Sequence, residues 1–136
     1  MLRLKDKEVA MAKKTYTVEG LTKAGPYSHV VEAGGFLFVS GMLPVDPLKG
    51  IQIHDDIVRA TELVLGNISR ALDAAGSNLS QVVKMTVFLA DMAYFTDMNT
   101  VYKSFFPEHP PARSCVAVKA IPGGFPLEME ALAVKE

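Results

Sequence analysis

The chain has 136 residues, 49% of them hydrophobic and 21% charged, and 14 basic side chains against 15 acidic ones leave a formal charge of -1. That length suits a single domain burying about two-thirds of its unfolded surface, and the composition excludes a disordered chain. The even charge balance provides no electrostatic footprint for nucleic acid, and no apolar run approaches the roughly 18 residues of a membrane-spanning helix.

Residues 1–12 read as a polar extension, followed by one domain over 13–136. The start, Met1 to Glu8, is too charged to supply the apolar segment of a secretory signal. With a single cysteine, no intrachain disulfide can form, and a reducing, cytoplasmic setting is expected. Tyr16-Thr17-Val18-Glu19 alternates briefly and predicts an edge strand. Gly25-Pro26-Tyr27-Ser28 makes a stiff turn into a strand over 29–33. Gly34-Gly35 is a two-residue hairpin signal, and 36–40 is the returning strand, ended by Gly41. Turn residues run through 44–50, which reads as a loop.

A long helix is predicted over about 55–75. Ile57, Thr61, Val64, Leu65, Ile68, Leu72 and Ala75 make its apolar stripe, and Gly76 is a left-handed stop. Gly66 falls inside it without evident reason. A strand follows over 82–89, with Val83, Met85, Val87 and Leu89 on one apolar face and Val82, Lys84, Thr86 and Phe88 on a mixed one. After a turn at Asp91, a second helix carries Phe95, Met98, Val101, Tyr102 and Phe105, with Asn99 flanking the stripe. Pro110-Pro111 delivers the chain into a strand over 113–120. Its alternation sets Ser114, Val116 and Val118 on a core face, and Arg113, Cys115 and Ala117 on the other. Pro122-Gly123-Gly124 turns into a last strand, 127–134. Two helices cover only one face of such a sheet. The other carries Val82, Phe88, Cys115, Ala117 and Leu132 in this reading, which predicts a second layer supplied by another subunit.

Few residues invite chemistry. His29, His54 and His109 lie far apart with no second ligand at metal-binding spacing, and Cys115 has no cysteine partner, so no metal site is expected. Both Gly-Gly pairs sit in hairpins, not between a strand and a helix, which leaves no phosphate-binding loop. Arg113, fixed at a strand start, is placed to grip a carboxylate or phosphate with its planar fork; on that stretch alone it equally reads as a surface or interface arginine. Arg113 is also the one neighbour able to stabilise a Cys115 thiolate, but no histidine base accompanies it, and a packed, inert cysteine is the better reading. Glu128 and Glu130 share a strand face with Leu132 and Val134, where an apolar edge raises a carboxylate towards general-base values; the plain alternative is a solvated pair. Tyr27 reads either as a core aromatic or as a fixed hydrogen-bond donor.

Gly25-Pro26-Tyr27-Ser28, Val39-Ser40-Gly41, the stretch 83–89, Asn99-Thr100-Val101-Tyr102, Pro111-Ala112-Arg113-Ser114-Cys115-Val116 and Glu128-Met129-Glu130 occur in that order. Together they resemble the reactive intermediate deaminase family, also called the YjgF/YER057c/UK114 family, over roughly residues 14–135. The resemblance implies an α+β, chorismate-mutase-like fold with a mixed sheet and two helices on one face. It also implies a homotrimer whose sheets line a central barrel, with sites between subunits. The implied activity is hydrolysis of short-lived 2-imino or 2-enamino acids, such as 2-aminoacrylate, to 2-keto acids and ammonia, without a cofactor. The substrates would come from pyridoxal-phosphate dehydratases. Arg113 would bind the substrate carboxylate and Glu128 would position water. Tyr27, Ser40, Gly41 and Asn99 would line the cleft, and Cys115 would contribute through its backbone and shape. Two positions depart from the family pattern: Met42 and His29 stand where glutamine is common, and both are expected to alter the cleft mouth. Two other activities stay open, an endoribonuclease or translation inhibitor and a non-catalytic module for small carboxylates.

Overall fold

A computed structural model describes residues 12–136, so the polar extension, Ala12 apart, lies outside the described residues. Eight strands and two helices follow in the order β1 (Lys14–Tyr16), β2 (Val30–Ala33), β3 (Phe36–Met42), β4 (Val45–Asp46), β5 (Ile51–Gln52), α1 (Ile57–Ala74), β6 (Val82–Leu89), α2 (Phe95–Phe105), β7 (Ala112–Ala117) and β8 (Leu127–Val134). Six strands form one sheet in the order β1-β2-β3-β8-β6-β7, antiparallel throughout except for the parallel pair β6–β7. The α+β architecture is the expected one. No helix among the described residues is long and apolar enough to cross a membrane.

Local chemistry explains most element ends. Gly34 and Gly35 both have positive φ, 59° and 82°, as the tight β2–β3 hairpin requires. Asp56 caps α1 by accepting the Arg59 N–H at 3.1 Å. At the other end, Gly76 at φ 81° lets its own N–H reach Asp73 and the Ser77 N–H reach Leu72, a Schellman stop. Asp91 accepts the Ala93 N–H at 2.8 Å and starts the turn that leads into α2. The stretch 44–50, expected as a plain loop, closes a small hairpin between β4 and β5, because the Asp46 carboxylate gathers the N–H groups of Leu48 and Lys49 and Gly50 turns at φ 65°. The first strand lies at 14–16 instead of 16–19. Beyond it the Val18 N–H leaves the ladder for the His29 ring.

The core lies between the sheet and the two helices. Leu37 and Val39 of β3, Met85, Val87 and Leu89 of β6, and Leu127 and Met129 of β8 meet Val64, Leu65, Ile68 and Leu72 of α1 and Met98 of α2. The α1 stripe is as predicted. The strands differ from expectation at three places. A register shift between Val82 and Lys84 turns Val82 inward and leaves Val83 41% exposed, the reverse of simple alternation. A second shift, between Val39 and Met42, carries β3 past Gly41 instead of ending it there. In β7, Arg113 and Cys115 pair with the buried Met85 and Val87 and so face the helices, while Val116 is 47% exposed on the open face. The alternation of β7 is as read, with inside and outside exchanged: the partner strand sets the facing, and valine content does not. Val118, also expected in the core, packs instead with Phe88 of the open face against the small cluster of Val45, Ile121 and Phe125.

Among the described residues no helix covers the opposite face of the sheet. Phe88 and Leu132 lie on this face as expected, but Val82, Cys115 and Ala117 belong to the other. Phe36, Phe38 and Val116, 42%, 48% and 47% exposed, take their place.

Candidate functional site

The residues singled out in the sequence fall into two groups, one on each face of the sheet. Tyr27, Ser40, Gly41 and Glu128 line a cleft of about 470 Å³, together with Met42 and Asn67. Arg113, Asn99 and Cys115 lie on the helix side, between β7 and α2.

The cleft wall is built by hydrogen bonds that leave little freedom. The Tyr27 hydroxyl donates to the Thr22 carbonyl at 3.1 Å and accepts the Ala24 N–H at 3.2 Å, so the exposed ring is tethered at its tip. It is thus fixed, but its proton is committed within the loop. Ser40 Oγ donates to the Ser28 carbonyl at 2.6 Å and joins β3 to the same loop. His29, expected at the cleft mouth, is instead 1% exposed: its Nδ1 accepts the Val18 N–H at 2.8 Å and Nε2 faces the Thr22 carbonyl at 2.9 Å. That geometry fits a neutral ring protonated on Nε2, and it makes His29 a brace behind the wall. Met42 is buried yet borders the cleft.

Glu128 is the reactive feature of this side. It lies across Gly41, where an added Cβ would come 2.8 Å from its Cδ and 3.0 Å from Oε2. The glycine is therefore needed to make room for the carboxyl, a requirement not legible from Ser40-Gly41 as a strand end. Burial pushes the Glu128 pKa above its ordinary value, and the neighbouring negative charge of Glu130 adds to the rise. Such a carboxylate takes a proton from water more readily than a solvated one.

On the other face, Arg113 Nη1 donates to Asn99 Oδ1 at 2.6 Å, and the guanidinium carbon lies 4.7 Å from the Tyr102 ring centre and 5.7 Å from that of Phe95. Among the described residues no carboxylate pairs with it. Its remaining N–H groups suit an incoming planar anion. Burial raises the Cys115 thiol pKa, with Arg113 opposing, so the thiol is protonated at neutral pH and inert. Sequence reasoning missed Asn67. Its side chain donates to the carbonyls of Leu43 and Val45, at 3.1 and 2.9 Å, and fastens α1 to the cleft wall. A lone asparagine next to an apolar stripe gave the only signal.

The family model described as Endoribonuclease L-PSP matches residues 17–135. A RutC family protein of Pyrococcus horikoshii is 43% identical over 126 residues, covering 93% of this chain and all of the relative. TdcF of Escherichia coli K12, provisionally named a reactive intermediate deaminase, is 42% identical over 114 residues, or 82% of this chain and 88% of that protein. Its crystal structure with bound serine matches at a TM-score of 0.82 with 38% identity, over 90% of this chain and 98% of that one. The yeast YEO7 crystal structure matches at 0.88 with 39% identity, over 92% and 100%. With its ordered motifs, its fold and these relatives in agreement, the chain belongs to the RidA/YjgF family of reactive intermediate deaminases and L-PSP proteins.

Proposed function

We propose that this protein hydrolyses 2-imino acids, and the 2-enamino acids that tautomerise to them, at a site shared between two copies of the chain in a homotrimer. The observation that carries the reading is the division of the site residues: an unpaired Arg113 fork on one face of the sheet and a desolvated Glu128 on the other. A neighbouring copy would bring the two groups to one substrate, with Arg113 holding the carboxylate by two parallel bonds. Glu128 would take a proton from water as the water oxygen bonds to the imine carbon. The same proton would then pass to nitrogen, and the carbinolamine hydroxyl proton would follow by the same route as the carbon–nitrogen bond breaks, so that a 2-keto acid and ammonia leave. Asn99 would keep the arginine oriented, while Tyr27, Ser40 and Gly41 shape the opposite wall and Cys115 contributes shape alone. Imines of this kind hydrolyse unaided, so positioning and one proton relay supply all the acceleration required. The serine bound by TdcF is a small 2-amino acid and is consistent with a carboxylate-binding cleft.

The test couples the purified protein to a serine or threonine dehydratase that releases 2-aminoacrylate or its homologue. Keto-acid formation is followed with semicarbazide competing for the imine. Wild type accelerates release and Arg113→Ala does not; equal acceleration by both defeats the reading. A second activity, RNA cleavage, is favoured by names alone, that of the matching family model and those given to solved relatives. Cleavage that survives exhaustive nuclease removal and disappears in Arg113→Ala would support it. Binding of a keto acid without turnover would identify a non-catalytic carboxylate module.

A further inference from the structure

Arg113 is gripped by one face of α2, and the strength of that grip lies in Tyr102. Phe95, Asn99 and Tyr102 stand at i, i+4 and i+7, which places all three on the helix face turned to β7. Asn99 fixes one nitrogen of the fork, but a single bond leaves the guanidinium free to swing about it. The Tyr102 ring, 4.7 Å from the guanidinium carbon, adds a face for it to rest on, and Phe95 at 5.7 Å limits it from a second side. Tyr102 itself cannot move. It is 6% exposed and backed by Phe106, whose ring centre is 4.8 Å away.

The Tyr102 hydroxyl is buried with no hydrogen-bond partner among the described residues, and burial pushes its pKa up to about 12, so it is neutral. An oxygen with no partner does not orient the arginine. The ring does.

We infer that Tyr102 is a positioning residue: its ring face holds the Arg113 fork in the plane that a substrate carboxylate meets. The inference rests on the carboxylate-clamp reading of Arg113 given above. A carboxylate is bound equally in the ground and transition states, so a loosened clamp raises KM and leaves kcat nearly unchanged.

The experiment compares wild type with Tyr102→Leu, Tyr102→Phe and Leu37→Ala. It measures 2-oxobutanoate binding by calorimetry and imine hydrolysis in the coupled assay. Tyr102→Leu is expected to weaken 2-oxobutanoate binding and raise KM by about tenfold, the scale of a desolvated cation–π contact, with kcat within about twofold. Tyr102→Phe keeps the ring and restores the wild-type values. Leu37→Ala opens a cavity in the core at β3, three strands away from β7 in the sheet, and leaves both constants in place, which separates positioning from stability. Tyr102→Met fills the volume without a ring face and serves where Tyr102→Leu folds poorly. Unchanged binding in the ring-less variants overturns the inference while the deaminase reading stands. A loss in Tyr102→Phe equal to that in Tyr102→Leu also overturns it, by giving the role to the hydroxyl. If wild type neither binds 2-oxobutanoate nor hydrolyses imines, the clamp reading falls first and takes the inference with it.

Discussion

At the scale of single residues, Glu128 carries opposite demands from folding and from chemistry. Its carboxyl pKa is raised by burial, so the folded protein binds that proton more tightly than the unfolded chain does. Stability on this account is highest at acid pH and is lost as pH rises from the ordinary carboxyl value of 4.5 through the raised one. A general base works in the other direction, because only the ionised form accepts a proton. Activity is therefore expected to fall as pH drops through the raised value. Glu128→Gln should abolish the activity, and should raise Tm at neutral pH by relieving a desolvated charge. Steady-state pH profiles beside thermal melts check both outcomes; a variant that is inactive and also less stable would contradict this account. His29 makes a contrasting case. Its place in the sequence, two residues after Tyr27, suggested the cleft mouth, and its two backbone bonds put it behind the wall instead. Residue type and spacing carry no information about which side of a loop a ring will fill.

Elements were the most legible level, with bulges the exception. The helices follow from 3.6-residue periodicity, capped where Asp56 and Gly76 place the ends, and the β2–β3 hairpin follows from its glycine pair. Two strand facings and one strand end did not follow, because bulges and partner register set them. The bulges near Val83 and Ser40-Gly41 depend on pairing with β8, and the inward turn of Arg113 depends on its register with Met85. None of these partners is near in sequence. Glycine at 66 in α1 has no explanation in the structure: a Cβ there would meet nothing within 4 Å. Gly66→Ala should accordingly stabilise the protein by about 1 kcal/mol, read as a rise of a few degrees in Tm with activity unchanged. A fall in Tm would reveal a packing demand on that helix face.

For the molecule as a whole, the decisive feature is the face of the sheet that the helices leave open. Antiparallel partners share a face, so Phe38, Leu132 and Lys84 form one row across it, and Phe36 with Val134 another. Two phenylalanines roughly half exposed on a wide sheet are costly in water and favourable against a second copy. The expected outcome for Phe38→Glu is loss of assembly by light scattering together with loss of deaminase activity, since a lone chain holds only half of the proposed site. Monomers that retain full activity would place the whole site within one chain. The expectation of a second layer comes in the sequence from the count of two helices against a two-faced apolar sheet. The assignment of residues to that layer was only partly visible, for the same register reasons.

The separation of Arg113 and Glu128 onto opposite faces of one sheet also has a genetic consequence. Two defective alleles, Arg113→Ala and Glu128→Gln, would each be silent alone, yet co-expressed they should complement. In randomly mixed assemblies about one site in four joins an intact arginine from one chain to an intact glutamate from the next. A mixture refolded from equal parts should then recover up to about a quarter of wild-type turnover, whereas either allele mixed with wild type should only dilute the activity, because every intact arginine or glutamate still meets an intact partner group.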